Sequence, residues 1–72
     1  MAAITVHRPG RTGGRRVTAR SGGVETILGT AYRDADLIEF LRRAGAPDPE
    51  GAADDPEWVE WRGGRPHEWT AA

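Results

Sequence analysis

The chemistry in this sequence is concentrated in its arginines, its three tryptophans and its two histidines. Trp58, Trp61 and Trp69 stand close together with Arg62 and Arg65 between them. An indole facing solvent beside a guanidinium makes an interface anchor, or a platform on which a base stacks. These five residues are the candidate partner-binding set. The other concentration is the run His7-Arg8-Pro9-Gly10-Arg11-Thr12-Gly13-Gly14-Arg15-Arg16, which is basic, glycine-rich and free of acids. Arginines in such a run neutralise phosphates with salt-sensitive affinity that is nearly blind to sequence. Arg8, Arg11, Arg15 and Arg16 therefore form a candidate nucleic-acid set, with Arg20 extending it along the following strand. A solvated turn whose arginines pair with the chain's own carboxylates is the competing reading.

Enzyme chemistry finds little support. The one serine, Ser21, precedes a Gly-Gly turn, and His7 and His67 lack the context of a catalytic triad or a helical zinc motif. Asp34, Asp36, Asp54 and Asp55 read as helix caps and a solvated loop rather than a paired acid and base. The segment Arg11-Thr12-Gly13-Gly14 lacks the glycine spacing of a dinucleotide fingerprint and the lysine of a Walker loop. No catalytic residue, metal site or cofactor is assigned. Cysteine, lysine, asparagine and glutamine are all missing, which removes disulfides, thiol nucleophiles and Schiff-base chemistry.

These residues sit in a chain of 72 with hydrophobic content of 38% and net charge −1. A domain this small buries only roughly 60% of its unfolded surface, so every apolar side chain is in demand for the core. Charge is unevenly placed. Residues 1–20 carry five arginines and no acid, whereas residues 34–60 carry nine acids and two arginines. This polarity suits steering toward a complementary partner, and it also permits the two halves to neutralise each other. No apolar run approaches the roughly 20 residues of a membrane span or follows the basic start as a signal peptide would, so a cytoplasmic location is the expectation.

The elements that position the candidates follow from periodicity. Arg15–Ser21 and Val24–Thr30 flank Gly22-Gly23, a two-residue turn that pairs positions summing to 45. That register sets Val17 opposite Leu28, Ala19 opposite Thr26 and Ser21 opposite Val24 on an apolar face. Arg20 with Glu25, Thr18 with Ile27 and Arg16 with Gly29 fall on the other. Ala3–His7 alternates as a possible third, N-terminal strand ended by Pro9-Gly10. From Asp34 the period changes to 3.6, with Leu37, Ile38, Phe40, Leu41 and Ala44 on one face of a helix. Asp34 or Asp36 is placed to cap it, and Gly45 to end it. Residues 46–55 read as an acidic Pro/Ala-rich loop, with Asp55-Pro56 able to start one helical turn.

Trp58–Trp61 and Pro66–Trp69 bracket Gly63-Gly64 as a second hairpin, which would set Glu60 against His67 and place Trp58 and Trp61 on opposite faces. Arg62 would then face Arg65, a like-charge pair, and Pro66 would confine its strand to an edge. The expected architecture is a single α+β domain over residues 1–72: an antiparallel sheet from two hairpins, roughly ββαββ, packed on one central helix, with residues 8–14 a flexible basic loop. Its open edges also admit a homodimer. The functional expectation is a small non-catalytic interaction or regulatory module that meets a protein partner through the aromatic C-terminal hairpin and the acidic segment Asp48–Glu60. Nucleic-acid binding through the N-terminal arginines is the alternative.

Overall fold

A computed structural model describes residues 2–70. The chain is a small α+β fold: strands β1 (Ile4–Pro9), β2 (Arg15–Ser21) and β3 (Val24–Ala31), helices α1 (Asp34–Arg43) and α2 (Pro49–Ala52), then strand β4 (Val59–Trp61). They form one mixed sheet ordered β3-β2-β1-β4. β1 pairs antiparallel with β2 and parallel with β4, so the N-terminal strand is interior to the sheet rather than an appendage. Its residues Ile4 and Val6 join Val17, Val59, Leu37 and Leu41 in the buried core.

The Gly22-Gly23 hairpin follows the expected register from Ser21↔Val24 to Thr18↔Ile27 and then slips by one, so Val17 lies opposite Gly29 and Arg16 opposite Thr30. Leu28 is the extra residue of a β-bulge. The bulge brings Gly29 under Phe40 with φ at 151°, and a Cβ there would lie 2.8 Å from Phe40 Cζ. Only glycine leaves room for the ring. The core face also stops short of the turn, because Val24 is 64% exposed.

Helix α1 keeps the expected span, with Leu37 and Leu41 buried, while Ala44 is exposed. Arg33 occupies its N-cap without a side-chain bond, and Asp36 reaches back to accept from the Tyr32 amide at 2.9 Å. Arg42 and Arg43 in the last turn both bond Glu39, three and four residues before them on the same helix face. The expected loop at 46–55 contains α2. Asp48 caps it by accepting from Gly51 N, and Pro49 occupies its first turn. Ala46, Ala52 and Ala53 are core residues, so the small side chains of this acidic stretch are what let it lie against the domain.

The second hairpin is not formed. Val59–Trp61 is a strand, but its partner is β1, and residues 66–69 are turn and coil. The reason lies in β2. Arg15 is fully buried and draws the carbonyls of Arg62, Arg65 and Glu68 onto one guanidinium. A chain curled around a single donor group cannot also run as a straight strand in a ladder.

Candidate functional site

Three clusters of the expected site residues are resolved by this fold. The first surrounds Arg15. Its Nε donates to His7 O at 2.7 Å, Nη1 to Arg65 O and Glu68 O at 2.8 Å each, and Nη2 to Arg62 O at 2.9 Å. The guanidinium carbon stands 5.2 Å from the Trp61 ring centroid, a cation–π contact. Burial pushes the Arg15 pKa below its ordinary value and Glu68 opposes that shift, yet a guanidinium stays charged throughout the physiological range. Arg15 is therefore withdrawn from the candidate phosphate-binding set. It looked like its neighbour Arg16 in the sequence, but strand alternation sends Arg15 inward and leaves Arg16 exposed.

Trp61 and Trp69 belong to the same cluster. Their ring centroids lie 5.4 Å apart edge to face, and His67 sits 5.1 Å from Trp61. Trp61 Nε1 donates to Ala53 O at 3.2 Å, and Trp69 Nε1 to Asp34 Oδ1 at 2.8 Å. Both indoles are half-buried and engaged with their own chain. Arg62 bonds Glu60 through its side chain, so the expected pairing of Glu60 with His67 is replaced. His67 instead stands between Asp54, 2.5 Å from Nε2, and Asp34, 2.9 Å from Nδ1. Arg65 contributes its main-chain carbonyl to Arg15.

The bonds from Asp54 and Asp34 raise the His67 pKa. Burial would raise Asp34, but bonds from His67 and Trp69 hold it below the ordinary carboxylate value. With both ring nitrogens facing carboxylates, the imidazolium satisfies each as a donor. A raised folded-state pKa means the stabilisation is complete below the unfolded value near 6.5 and is lost as pH rises through the folded value. Melting temperature is thus expected to decline from roughly pH 6 upward, and His67→Gln to flatten that decline. A slope retained in the variant would remove His67 from the explanation. Among the described residues, no group of three or more His, Asp or Glu side chains is placed to hold a metal ion.

The second cluster is an apolar cleft of about 430 Å³ between the sheet and α1. Trp58, Phe40, Leu28 and Ala19 form its walls, and Arg20 and Arg43 are its two charged lining residues. Trp58 precedes β4 in a turn, which frees it from strand alternation. Val59 and Trp61 share the face of Ile4 and Val6, while Trp58 reaches the same helix-side layer from the turn. The expectation of opposite faces for Trp58 and Trp61 is corrected on that ground. Leu28, Phe40 and Arg43 are not among the site candidates that the sequence offers. Their convergence depends on the β3 bulge, for which Gly29 inside the strand is the one local cue.

The third cluster is a polar cleft of about 480 Å³ at the Gly10–Gly14 turn, lined by Arg8, Arg16, His7, Thr12, Thr30 and Tyr32 with the turn glycines. Arg11 lies in the same turn. The turn is closed by Gly10 N to Gly14 O and Gly13 N to Gly10 O bonds, and Gly14 N donates to Trp69 O. Three amides of the glycine run are therefore engaged within the chain. Nearby, Thr18, only 4% exposed, donates to Glu25 Oε2 at 2.7 Å and lies 2.9 Å from His7 Nε2. With the hydroxyl hydrogen on Glu25, the Thr18 oxygen accepts from His7 Nε2–H. The Thr18 bond lowers the Glu25 pKa, and Arg20 acts on Glu25 only through its field.

No family model, curated protein or solved structure matches this chain.

Proposed function

We propose that this chain is a non-catalytic interaction module whose protein partner seats an apolar side chain in the Trp58–Phe40–Leu28 cleft. The observation that carries this reading is the cleft itself. A chain of 72 residues, short of apolar material, leaves a half-exposed indole, a phenyl ring and a leucine around an open concavity. Trp61 and Trp69 serve the Arg15 cluster, so the expected aromatic contact surface narrows to Trp58 and gains Phe40 and Leu28.

Charge names the occupant further. Arg20 and Arg43 line the cleft and no acid does; Arg43 is already paired with Glu39, so the positive preference rests on Arg20. A partner segment presenting an aromatic or branched side chain beside carboxylates complements it, whereas a basic segment is repelled.

The experiment uses about ten-residue peptides carrying one tryptophan or leucine flanked by two glutamates, alongside copies with lysine in place of glutamate. Amide shifts at Leu28, Phe40, Ala44 and Trp58 are expected to move with the acidic peptides alone. Ala44→Glu, at an exposed position beside the cleft, is expected to weaken binding at least about tenfold while the fold is kept. Equal binding of the lysine peptides, or no shift at these residues, would overturn the reading. A concentration-dependent dimer abolished by Ala44→Glu would assign the cleft to a second copy instead.

A further inference from the structure

The polar cleft lies on other residues and carries an inference independent of the protein partner. We infer that the cleft at the Gly10–Gly14 turn binds single-stranded nucleic acid, with phosphates on Arg8 and Arg16 inside it and on Arg11 of the adjoining turn, and one base on Tyr32.

Sign separation is the first support. Acids outnumber arginines in the sequence, yet no carboxylate lines this cleft. Among the described residues, the ion pairs of arginine involve Arg42, Arg43 and Arg62, and none is made by Arg8, Arg11 or Arg16. The self-neutralisation that the sequence permits is thus not how these three side chains are used. Their field remains available to an external anion.

The aromatic is the second. Tyr32 is 62% exposed, and its ring rests on the Gly14 backbone: a Cβ added at Gly14 would stand 2.7 Å from Tyr32 Cε1. One side of the ring is thereby seated on main chain, and the residue lines the cleft together with Thr12 and Thr30, whose hydroxyls can bond phosphate or sugar. An aromatic face held beside arginines is the arrangement that stacks an unpaired base while the backbone is neutralised.

The engaged amides decide the kind of anion site. With Gly10, Gly13 and Gly14 N–H bonded inside the chain, the loop is no phosphate cradle of the nucleotide-binding type. Grip comes from side chains, so binding is strongly salt-dependent and tolerant of sequence. A duplex is disfavoured because α1, the longest helix, opens with Asp34 and Asp36 and carries Glu39, so it presents acid to a groove.

The test is a fluorescence titration of the full chain with oligodeoxythymidylate and oligouridylate of about ten nucleotides, a duplex of equal length, an abasic strand and heparin. Three phosphate contacts give a slope of log affinity against log salt of about −2 for a single strand, close to a 20-fold loss between 50 and 200 mM salt. Arg11→Gln is expected to reduce that slope by about 0.7, and the Arg8→Gln, Arg11→Gln, Arg16→Gln triple variant to abolish binding. Tyr32→Ala is expected to weaken the thymidylate complex about tenfold at unchanged slope, with Tyr32→Phe restoring it. The DNA and RNA arms distinguish the two sources of the same chemistry. Absence of binding at low salt, a preference for duplex, or affinity for heparin and abasic strand equal to that for thymidylate would each overturn the inference. Tyr32→Phe also separates lost stacking from a fold defect.

Discussion

Arg15→Met is expected to cost the domain about 3–5 kcal/mol, a loss of the same order as the whole stability of a fold this size. Replacement of a buried ion pair by apolar side chains is often harmless, because both charges leave together. Here the partners of the guanidinium are four main-chain carbonyls, of His7, Arg62, Arg65 and Glu68, and no side-chain substitution removes them. Methionine fills the volume and leaves these acceptors without their donor, at about 1–3 kcal/mol for each one that water cannot reach. Arg15→Lys keeps the charge but offers a single nitrogen in place of a planar fork, so it is expected to recover less than half of the loss. Urea unfolding followed by indole fluorescence reads both variants, since Trp61 lies against the guanidinium. An unfolding free energy for Arg15→Met within about 1 kcal/mol of the parent would show that the C-terminal segment holds its place by other contacts.

That clasp also marks the boundary of what the sequence reveals. Short-range signals worked where the determinant is short-range. The apolar spacing from Leu37 to Leu41 yields α1, and Gly22-Gly23 sets the four residue pairs nearest the turn. The slip beyond Thr18 seats Gly29 under Phe40, a residue of another element that the pairing arithmetic of the turn does not include. Asp48-Pro49 and Asp55-Pro56 carry the same helix-start chemistry. The first becomes α2 because Ala52 and Ala53 that follow it fit against the core. Parallel pairing of β4 with β1 joins residues 55 apart at Ile4↔Val59 and needs no turn signal at all. Of the candidate site residues, Trp58, Arg8 and Arg16 stand out by type in the sequence, and the clefts they line are supplied by the fold. Tyr32, Phe40 and Leu28 do not, because what qualifies them is the neighbour that tertiary structure supplies.

Gly63→Ala is the second large loss expected. Gly63 has φ at 72°, and an added Cβ would collide with Arg8 Cβ and stand 3.1 Å from Arg8 Cα. Two penalties combine there. Left-handed backbone costs a residue with a Cβ about 1 kcal/mol, and the second obstacle is main chain of β1, which cannot rotate away as the end of a flexible side chain would. The turn also carries Arg62 O to Arg15, so displacing Gly63 loosens the clasp as well. A total of about 2–4 kcal/mol is expected. Gly22→Ala provides the control. Its φ is 57° and nothing lies within 4 Å of the added atom, so only the backbone penalty remains, about 1 kcal/mol. Denaturant midpoints of the two variants separate the contributions: equal losses would mean that β1 yields to the intruding carbon, and that the approach of Gly63 to Arg8 is not what fixes the path of the C-terminal segment.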